Sequence, residues 1–314
     1  QLLLMNQDQG NRCLRCHAPL AEQKALLALE LGWPNAPKQP PPDFVPAGLG
    51  HGGLVCAACH VRGHQRFGPP PRGEVAEGGP HGGFTVAKAF EDSRFCAHCH
   101  QFPDDGPRIA GKLQEDTYRQ WLASDYASED LGKQTCQSCH MPDRKHLWRG
   151  IHDPEMTRRA VDVTLSIEPA GDGRYEALAR VKNSGAGHHF PTYMVPKVEL
   201  VFYRRDADGG SQELGRHIIG WQIDTQITRE IADTRIPAGE TREFRQPFVA
   251  PDGDWRVELV MRVLPGEHYE RIYRDSLSRA GQLPPAAVPL LRKALDEVES
   301  AHYELLRIEA AAGS

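Results

Sequence analysis

The sequence predicts an α+β chain: a loop-rich, mainly helical domain (1–156), an antiparallel β-sandwich-like domain (157–280) and a C-terminal amphipathic helix (281–314). Three observations carry that division. All 8 cysteines fall between residues 13 and 139, in four copies of one five-residue motif. From about residue 157 the apolar pattern switches to period two, as in half-buried strands. Beyond residue 284 it returns to helical spacing. A length of 314 residues suits two domains better than one.

The motif is Cys-x-x-Cys-His. It occurs as Cys13, Cys16 and His17; Cys56, Cys59 and His60; Cys96, Cys99 and His100; and Cys136, Cys139 and His140, using every cysteine in the chain. Cysteines three apart share one side of a helical turn. Each thiol can add to a vinyl group of one haem while the adjacent histidine ligates its iron, which makes the motif the attachment signature of c-type haem. The chain therefore reads as a carrier of four covalent haem c groups. Two alternatives compete. Zinc sites made of four cysteines give no role to a histidine after every second cysteine. A disulfide inside Cys-x-x-Cys closes almost no chain and makes a poor staple.

The motifs start at residues 13, 56, 96 and 136, which are 43, 40 and 40 apart and suggest repeated loop–helix–haem units, although the intervening sequences are unlike. Residues 19–31 have apolar positions at helical spacing, and 113–124 reads as a helix before the fourth motif. The Pro-rich stretch 34–46 is an extended linker, and 48–53 and 68–73 are loops. So much Gly and Pro leaves little aliphatic core, and haem is expected to supply the missing apolar mass. In the second domain 160–168, 175–182, 197–204, 214–221, 241–248 and 255–263 alternate as strands, with turns at 171–173, 206–210 and 237–240. Residues 290–310, apolar at 291, 295, 298, 305 and 308, form one long amphipathic helix that packs on the sandwich or the first domain, a dimer or polymer contact being the alternative.

The formal charge of −5, to which haem propionates would add, argues against nucleic acid as a partner. No run of 18 apolar residues exists to span a membrane. The chain begins at Gln1 without a signal peptide or an N-terminal cysteine for a lipid anchor. Because haem c is attached outside the cytoplasm, the expectation is an exported periplasmic or extracellular protein whose signal has been removed.

Of 15 histidines, four follow the motifs and 11 remain to fill the far side of the irons. His146 and His152 follow the fourth motif too closely to reach round its haem, so each would serve a neighbour. His81 stands in GGPHGGF and His188 in NSGAGHHFPT, where glycines let backbone approach a flat macrocycle. The alternative for each is an ordinary surface or hydrogen-bonded histidine. That ordinary reading is preferred for His51, His64, His98, His189, His217, His268 and His302, with His51 in reserve. Arg144, Lys145, Arg149, Arg158 and Arg159 form a basic cluster suited to propionates.

The stretches FCAHCHQF (95–102), CQSCHMPDRKHLWRGIHDPE (136–155) and NSGAGHHFPT (183–192) resemble signatures of bacterial multihaem c-type cytochromes of the cytochrome c-554 group, over residues 56–195. The resemblance implies a β-rich domain after the final motif, bearing a Gly-His-x-Phe-Pro-Thr loop. It implies His81, His146, His152 and His188 as distal ligands, and lowers the standing of His51 and His64. Tyr193 stands where such relatives often carry Gly. In haem number and appended domain the chain is also similar to tetrahaem cytochromes that polymerise into extracellular filaments. It lacks the Cys-x-x-Cys-Lys of pentahaem nitrite reductases, the Met ligands of reaction-centre cytochromes and the membrane helix of quinol-oxidising tetrahaem proteins. The expected function is electron transfer through four low-potential, bis-His haems to other redox proteins, without enzyme activity. The alternatives are a subunit of a filament built from copies of the chain, and a reductase of a small nitrogen or sulfur oxyanion at one open haem.

Overall fold

The computed structural model describes residues 6–73 and 82–311. It divides into two compact units, one of residues 1–99 with 281–289 and one of 100–280 with 290–314. The fourth motif and the sandwich thus fall in the same unit.

The first unit starts with α1 (Gln7–His17), which ends on the first motif. Its start is fixed by a capping box: Asn6 Oδ1 accepts from the Gln9 N–H (2.9 Å), and Gln9 Oε1 accepts from the Asn6 N–H (3.2 Å). Helix α2 (Ala21–Glu30) follows. Leu14, Ala18, Leu27, Ala28 and Trp33 form a small core, and Gly10 stands where any Cβ would run into the Trp33 indole. The buried Gln23 amide donates to the Leu49 (3.1 Å) and Gly53 (2.7 Å) carbonyls, fixing the glycine-rich loop before the second motif. That motif is α3 (Cys56–His60). A small sheet follows, with β1 (Val61–Arg62) antiparallel to β2 (Gln65–Gly68) and β2 parallel to β3 (Thr85–Val86). The third motif lies on α4 (Arg94–His100).

The second unit opens with a hairpin of β4 (Arg108–Ile109) and β5 (Lys112–Leu113), then α5 (Thr117–Leu122). The fourth motif is α6 (Cys136–His140), and α7 (Pro154–Ala160) is capped by Asp153, whose Oδ1 accepts from the Met156 N–H at 2.9 Å. Eight strands follow in order: β6 (Val161–Gly171), β7 (Arg174–Asn183), β8 (Lys197–Asp206), β9 (Ser211–Ile219), β10 (Trp221–Ile223), β11 (Glu230–Asp233), β12 (Thr241–Val249) and β13 (Trp255–Leu264). Helices α8 (Glu267–Ser278) and α9 (Ala287–Ser300) precede the last strand, β14 (Tyr303–Ala310).

Two antiparallel sheets, ordered β12-β7-β6 and β14-β13-β8-β9, share one core. Ala177, Ala179 and Val181 from one face meet Leu200, Phe202, Leu259 and Met261 from the other, all fully buried. Period two dictates this: every second residue points inward. All six strands expected from the sequence are present, and the α+β class stands.

The C-terminal segment differs from its expectation. Helix α9 stops at Ser300, and 303–310 is an edge strand rather than the end of one helix over 290–310. The β13–β14 register slips between Met261, opposite Leu306, and Arg262, opposite Glu304, so Leu305 is an extra residue. This bulge puts two leucines side by side, which breaks strict alternation and mimics helical spacing. Helix α8 and the β10–β11 hairpin are further elements that the sequence pattern did not reveal.

Where β8 meets α8, Lys197 is 2% exposed. Its Nζ donates to the Met194 carbonyl (2.6 Å) and lies 3.3 Å from Glu267 Oε2. Glu267 also holds Arg271 Nε at 2.7 Å. Burial pulls the Lys197 ammonium from its ordinary 10.5 down to about 8, partly offset by Glu267. The unfolded chain therefore holds this proton more tightly, so folding stability should rise with pH between about 8 and 10.5. Lys197→Met should remove that slope in urea titrations at little cost, because Glu267 keeps Arg271. Glu267→Ala should cost about 3–5 kcal/mol, because it strips the carboxylate from a buried ammonium.

Candidate functional site

Each motif is helical, and none of its cysteines is buried; Cys13 and Cys56 are exposed and the other six partly so. No disulfide links any of the eight. In the first unit, burial and the neighbouring Cys16 and Cys59 thiols push Cys99 up to about 12. The second cysteines of three motifs thus converge. Burial, partly offset by Arg62, also raises the Cys59 thiol.

The motif histidines show how the chain sets an imidazole. His60 Nδ1–H donates to the Phe67 carbonyl at 2.8 Å, across the turn joining β1 and β2. His140 Nδ1–H donates to the Arg149 carbonyl at 2.6 Å. A carbonyl can only accept, so it fixes the proton on Nδ1 and leaves the lone pair on Nε2. Metal-bound histidines are oriented by this kind of contact. The Phe90 ring stacks on His60, centroids 4.8 Å apart and planes 13° apart. His17 and His100 are exposed.

Among the predicted distal histidines, His188 is brought to a motif histidine. Its ring centroid lies 6.2 Å from that of His140, with the planes 11° apart. Its Nδ1–H donates to the His189 carbonyl at 2.9 Å, which again makes Nε2 the lone-pair nitrogen. Burial, followed by the nearby His140, His189 and His100, holds His188 down at about 4 despite that carbonyl, so it is neutral above this pH.

The loop carrying His188 is tightly held. Ser184 and Gly185 N–H groups both donate to the Ala160 carbonyl (3.1 and 3.0 Å). Tyr126 Oη donates to the Ser184 carbonyl at 3.0 Å. Gly187 presses on Tyr126 and Trp121, and Trp121 Nε1–H donates to the Gln134 carbonyl at 2.9 Å. On the far side Phe190 exchanges backbone hydrogen bonds with Ile236 (2.8 and 3.0 Å), and the Phe190–Pro191 peptide is cis.

The other predicted ligands are placed differently. His81 lies outside the described residues. His146 is exposed, its ring 6.1 Å from Trp148 at 57°. His152 is exposed just before the α7 cap. The basic cluster is partly engaged by protein: Arg149 reaches Asp153 (3.2 Å) and Glu155 (3.3 Å), and Arg158 donates to the Val161 carbonyl (2.9 Å). For these two the acceptors within the chain are Asp153, Glu155 and the Val161 carbonyl; the expectation of propionate partners concerns the haem itself.

The remaining histidines have local settings. His51 pairs with Glu30 (2.7 Å) and His302 with Glu270 (3.1 Å). His217 is flanked by Phe202 and Phe244. Burial pulls His268 down to about 4, and its Nδ1 accepts from Arg271 at 3.1 Å. His189 is also held at about 4, by burial and then by Arg235.

The residues around α6 fit a haem. Two imidazoles bound through Nε2 at about 2 Å would hold their ring centres roughly 6.3 Å apart if they approached one metal from opposite sides. His140 and His188 already stand at that separation, nearly parallel. Cys136 and Cys139 are partly exposed on the same helix as His140. Leu147 and Trp148, 45% and 55% exposed, offer apolar surface soon after it.

No family model matches the sequence, and no curated protein matches it either. A solved structure does match the fold. A penta-haem cytochrome c552 from Thermochromatium tepidum superposes over 95% of this chain and 83% of its own, with a TM-score of 0.61 and 18% identity. A structural-genomics target aligns over 49% of this chain and 85% of its own, with a TM-score of 0.24 and 11% identity. This chain has the fold of the cytochrome c552 across nearly its whole length.

The packing of the 184–188 loop sets a graded expectation. A Cβ at Gly187 would sit 3.0 Å from Tyr126 Cβ and 3.3 Å from Trp121 Cδ1, so Gly187→Ala needs small shifts and should cost about 1–3 kcal/mol. A Cβ at Gly185 would collide with the Arg159 carbonyl oxygen, which is backbone and cannot swing aside. Gly185→Ala should therefore lower the melting temperature more than Gly187→Ala, as differential scanning calorimetry of the two variants would measure.

Proposed function

We propose that this chain is an exported electron-transfer protein holding four covalent haem c groups. The observation that carries the reading is the set of four Cys-x-x-Cys-His motifs that absorbs every cysteine, one of which has a second imidazole beside its own, ring centroids 6.2 Å apart and planes 11° apart. Bound haem supplies a one-electron iron couple. The chain's own residues do the rest. Cys13 and Cys16, Cys56 and Cys59, Cys96 and Cys99, and Cys136 and Cys139 anchor the four groups by thioether bonds. His17, His60, His100 and His140 give one axial nitrogen each.

His188 is the partner of His140, and His81, His146 and His152 serve the other three irons. A neutral His188 needs no proton removed before it binds a metal at physiological pH. With histidine in both places the chain would leave no open iron for substrate and would omit the Met ligation that raises potential, so bound haems would run at low potential. Convergence of Cys16, Cys59 and Cys99 favours close packing of the first three groups, as hopping requires. The cofactor boundary near residue 156 is a functional division rather than a packing one. The partners are other redox proteins. The penta-haem cytochrome of the same fold agrees with this class, and the four motifs of this chain support a number of four.

Mass spectrometry of the secreted holoprotein should show the polypeptide plus four haem masses; a thiol or disulfide at any of the eight cysteines would contradict it. His188→Ala should leave three low-spin haems and convert one to high-spin, with carbon monoxide binding to the reduced form. An unchanged spectrum would remove His188 from the ligand set.

A further inference from the structure

The peptide bond that follows His188 is gripped from both sides by side-chain amides. Its carbonyl accepts from Asn183 Nδ2 at 2.7 Å. Its N–H, that of His189, donates to Gln120 Oε1 at 3.1 Å. Asn183 closes β7 and is 1% exposed, whereas Gln120 lies on α5, upstream of the fourth motif. Side chains from two distant parts of the chain thus meet on one peptide unit.

Neither amide is replaceable by shape alone. Asn183 Nδ2 donates to a second carbonyl, that of Ile236 at 3.0 Å, and Asn183 Oδ1 accepts from the Ala186 N–H at 3.1 Å. All three partners fix which end of the amide is nitrogen. Gln120 Oε1 also accepts from Thr192 Oγ1 at 2.8 Å, so it holds both flanks of the His188–Thr192 turn. The same His189 residue supplies the carbonyl that takes His188 Nδ1–H at 2.9 Å. Fixing the peptide therefore fixes the backbone on which the His188 ring stands and the carbonyl to which it is tethered.

We propose that Asn183 and Gln120 form a two-amide clamp that positions His188 against His140, so that the axial nitrogen is set by β7 and α5 together. This rests on the reading of His188 as a ligand. Both are positioning residues, because neither imidazole is hydrogen-bonded to them. The two amides work in opposite senses on the peptide, one as donor and one as acceptor, and conservative changes separate those senses. Gln120→Glu keeps the acceptor oxygen for His189 N–H and Thr192 Oγ1 and gives up only the long donation from Nε2 to the Thr192 carbonyl (3.4 Å). Gln120→Leu deletes it. Asn183→Asp keeps the acceptor for Ala186 but sets carboxylate oxygen against two carbonyls in a buried place.

The test is the electronic spectrum, carbon monoxide binding to the reduced holoprotein, and the melting curve for these variants beside His188→Ala. Gln120→Leu and Asn183→Asp should raise the high-spin fraction at one haem in four and admit carbon monoxide there, while Gln120→Glu behaves as wild type. Added imidazole should restore the low-spin spectrum of Gln120→Leu. A purely structural role would lower the melting temperature of Gln120→Leu with the spectrum unmoved, and that result overturns the clamp. Should Asn183→Asp fail to fold, the two Gln120 variants decide. If His188→Ala opens a haem while Gln120→Leu does not, the clamp falls and the ligand stands. If His188→Ala opens none, the ligand reading falls and takes the clamp with it.

Discussion

Backbone carbonyls of Phe67, Arg149 and His189 each take an Nδ1–H, from His60, His140 and His188 respectively. Each bond fixes a tautomer and a ring direction that the side chain's own rotamers would leave loose. It also makes the site depend on backbone well away from the motif. The carbonyl serving His140 is nine residues downstream, and Gly150 and Asp153 hold that stretch through a backbone hydrogen bond of 2.8 Å. Arg149 in turn is fixed by Asp153 and Glu155, so the acidic first turn of α7 belongs to the setting of His140. The basic run after the fourth motif therefore gains meaning from its acidic neighbours.

The two units hold themselves together by different means. In the second, a continuous core from seven strands buries large aliphatic and aromatic side chains completely. In the first, one cluster is built on Leu14, Leu27 and Trp33, and single polar contacts such as those of Gln23 fix its loops. Among the described residues this cluster of five buried side chains offsets little of the entropy of so much ordered loop. A five-residue helix such as α3 is too short to persist on propensity alone.

Legibility in the sequence followed the range of the interactions. The motifs are local, and all four were readable because cysteine spacing and the adjacent histidine carry the chemistry within one turn. The six strands were readable because alternation is local too. Residues 303–310 were misread because a bulge at Leu305 placed two leucines together and hid the alternation. His188 was singled out by its glycines, and the structure shows what two of them do: Gly185 lies against the Arg159 carbonyl and Gly187 against Tyr126 and Trp121. Asn183 and Gln120 gave no signal, because an amide's value here lies in partners 53 and 69 residues away. Pairing of His188 with His140 was likewise beyond any spacing argument.

These contacts give the sandwich a role beyond appended mass. A loop as glycine-rich as 184–188 would wander if it ended in solvent. Here it leaves β7 at a buried Asn183 and re-enters the fold at Phe190, paired with Ile236, so both ends are pinned to rigid strands. Between those anchors the loop leans on Trp121, Tyr126 and Gln120, all from the segment that leads into the fourth motif. The stiffness of the sheets is thereby passed to one imidazole. A histidine on a free loop would pay the entropy of ordering each time it met a metal, whereas His188 is ordered beforehand by contacts that contain no metal. Pre-organisation of this kind lowers the entropy that any ligand-binding role of His188 would have to offset.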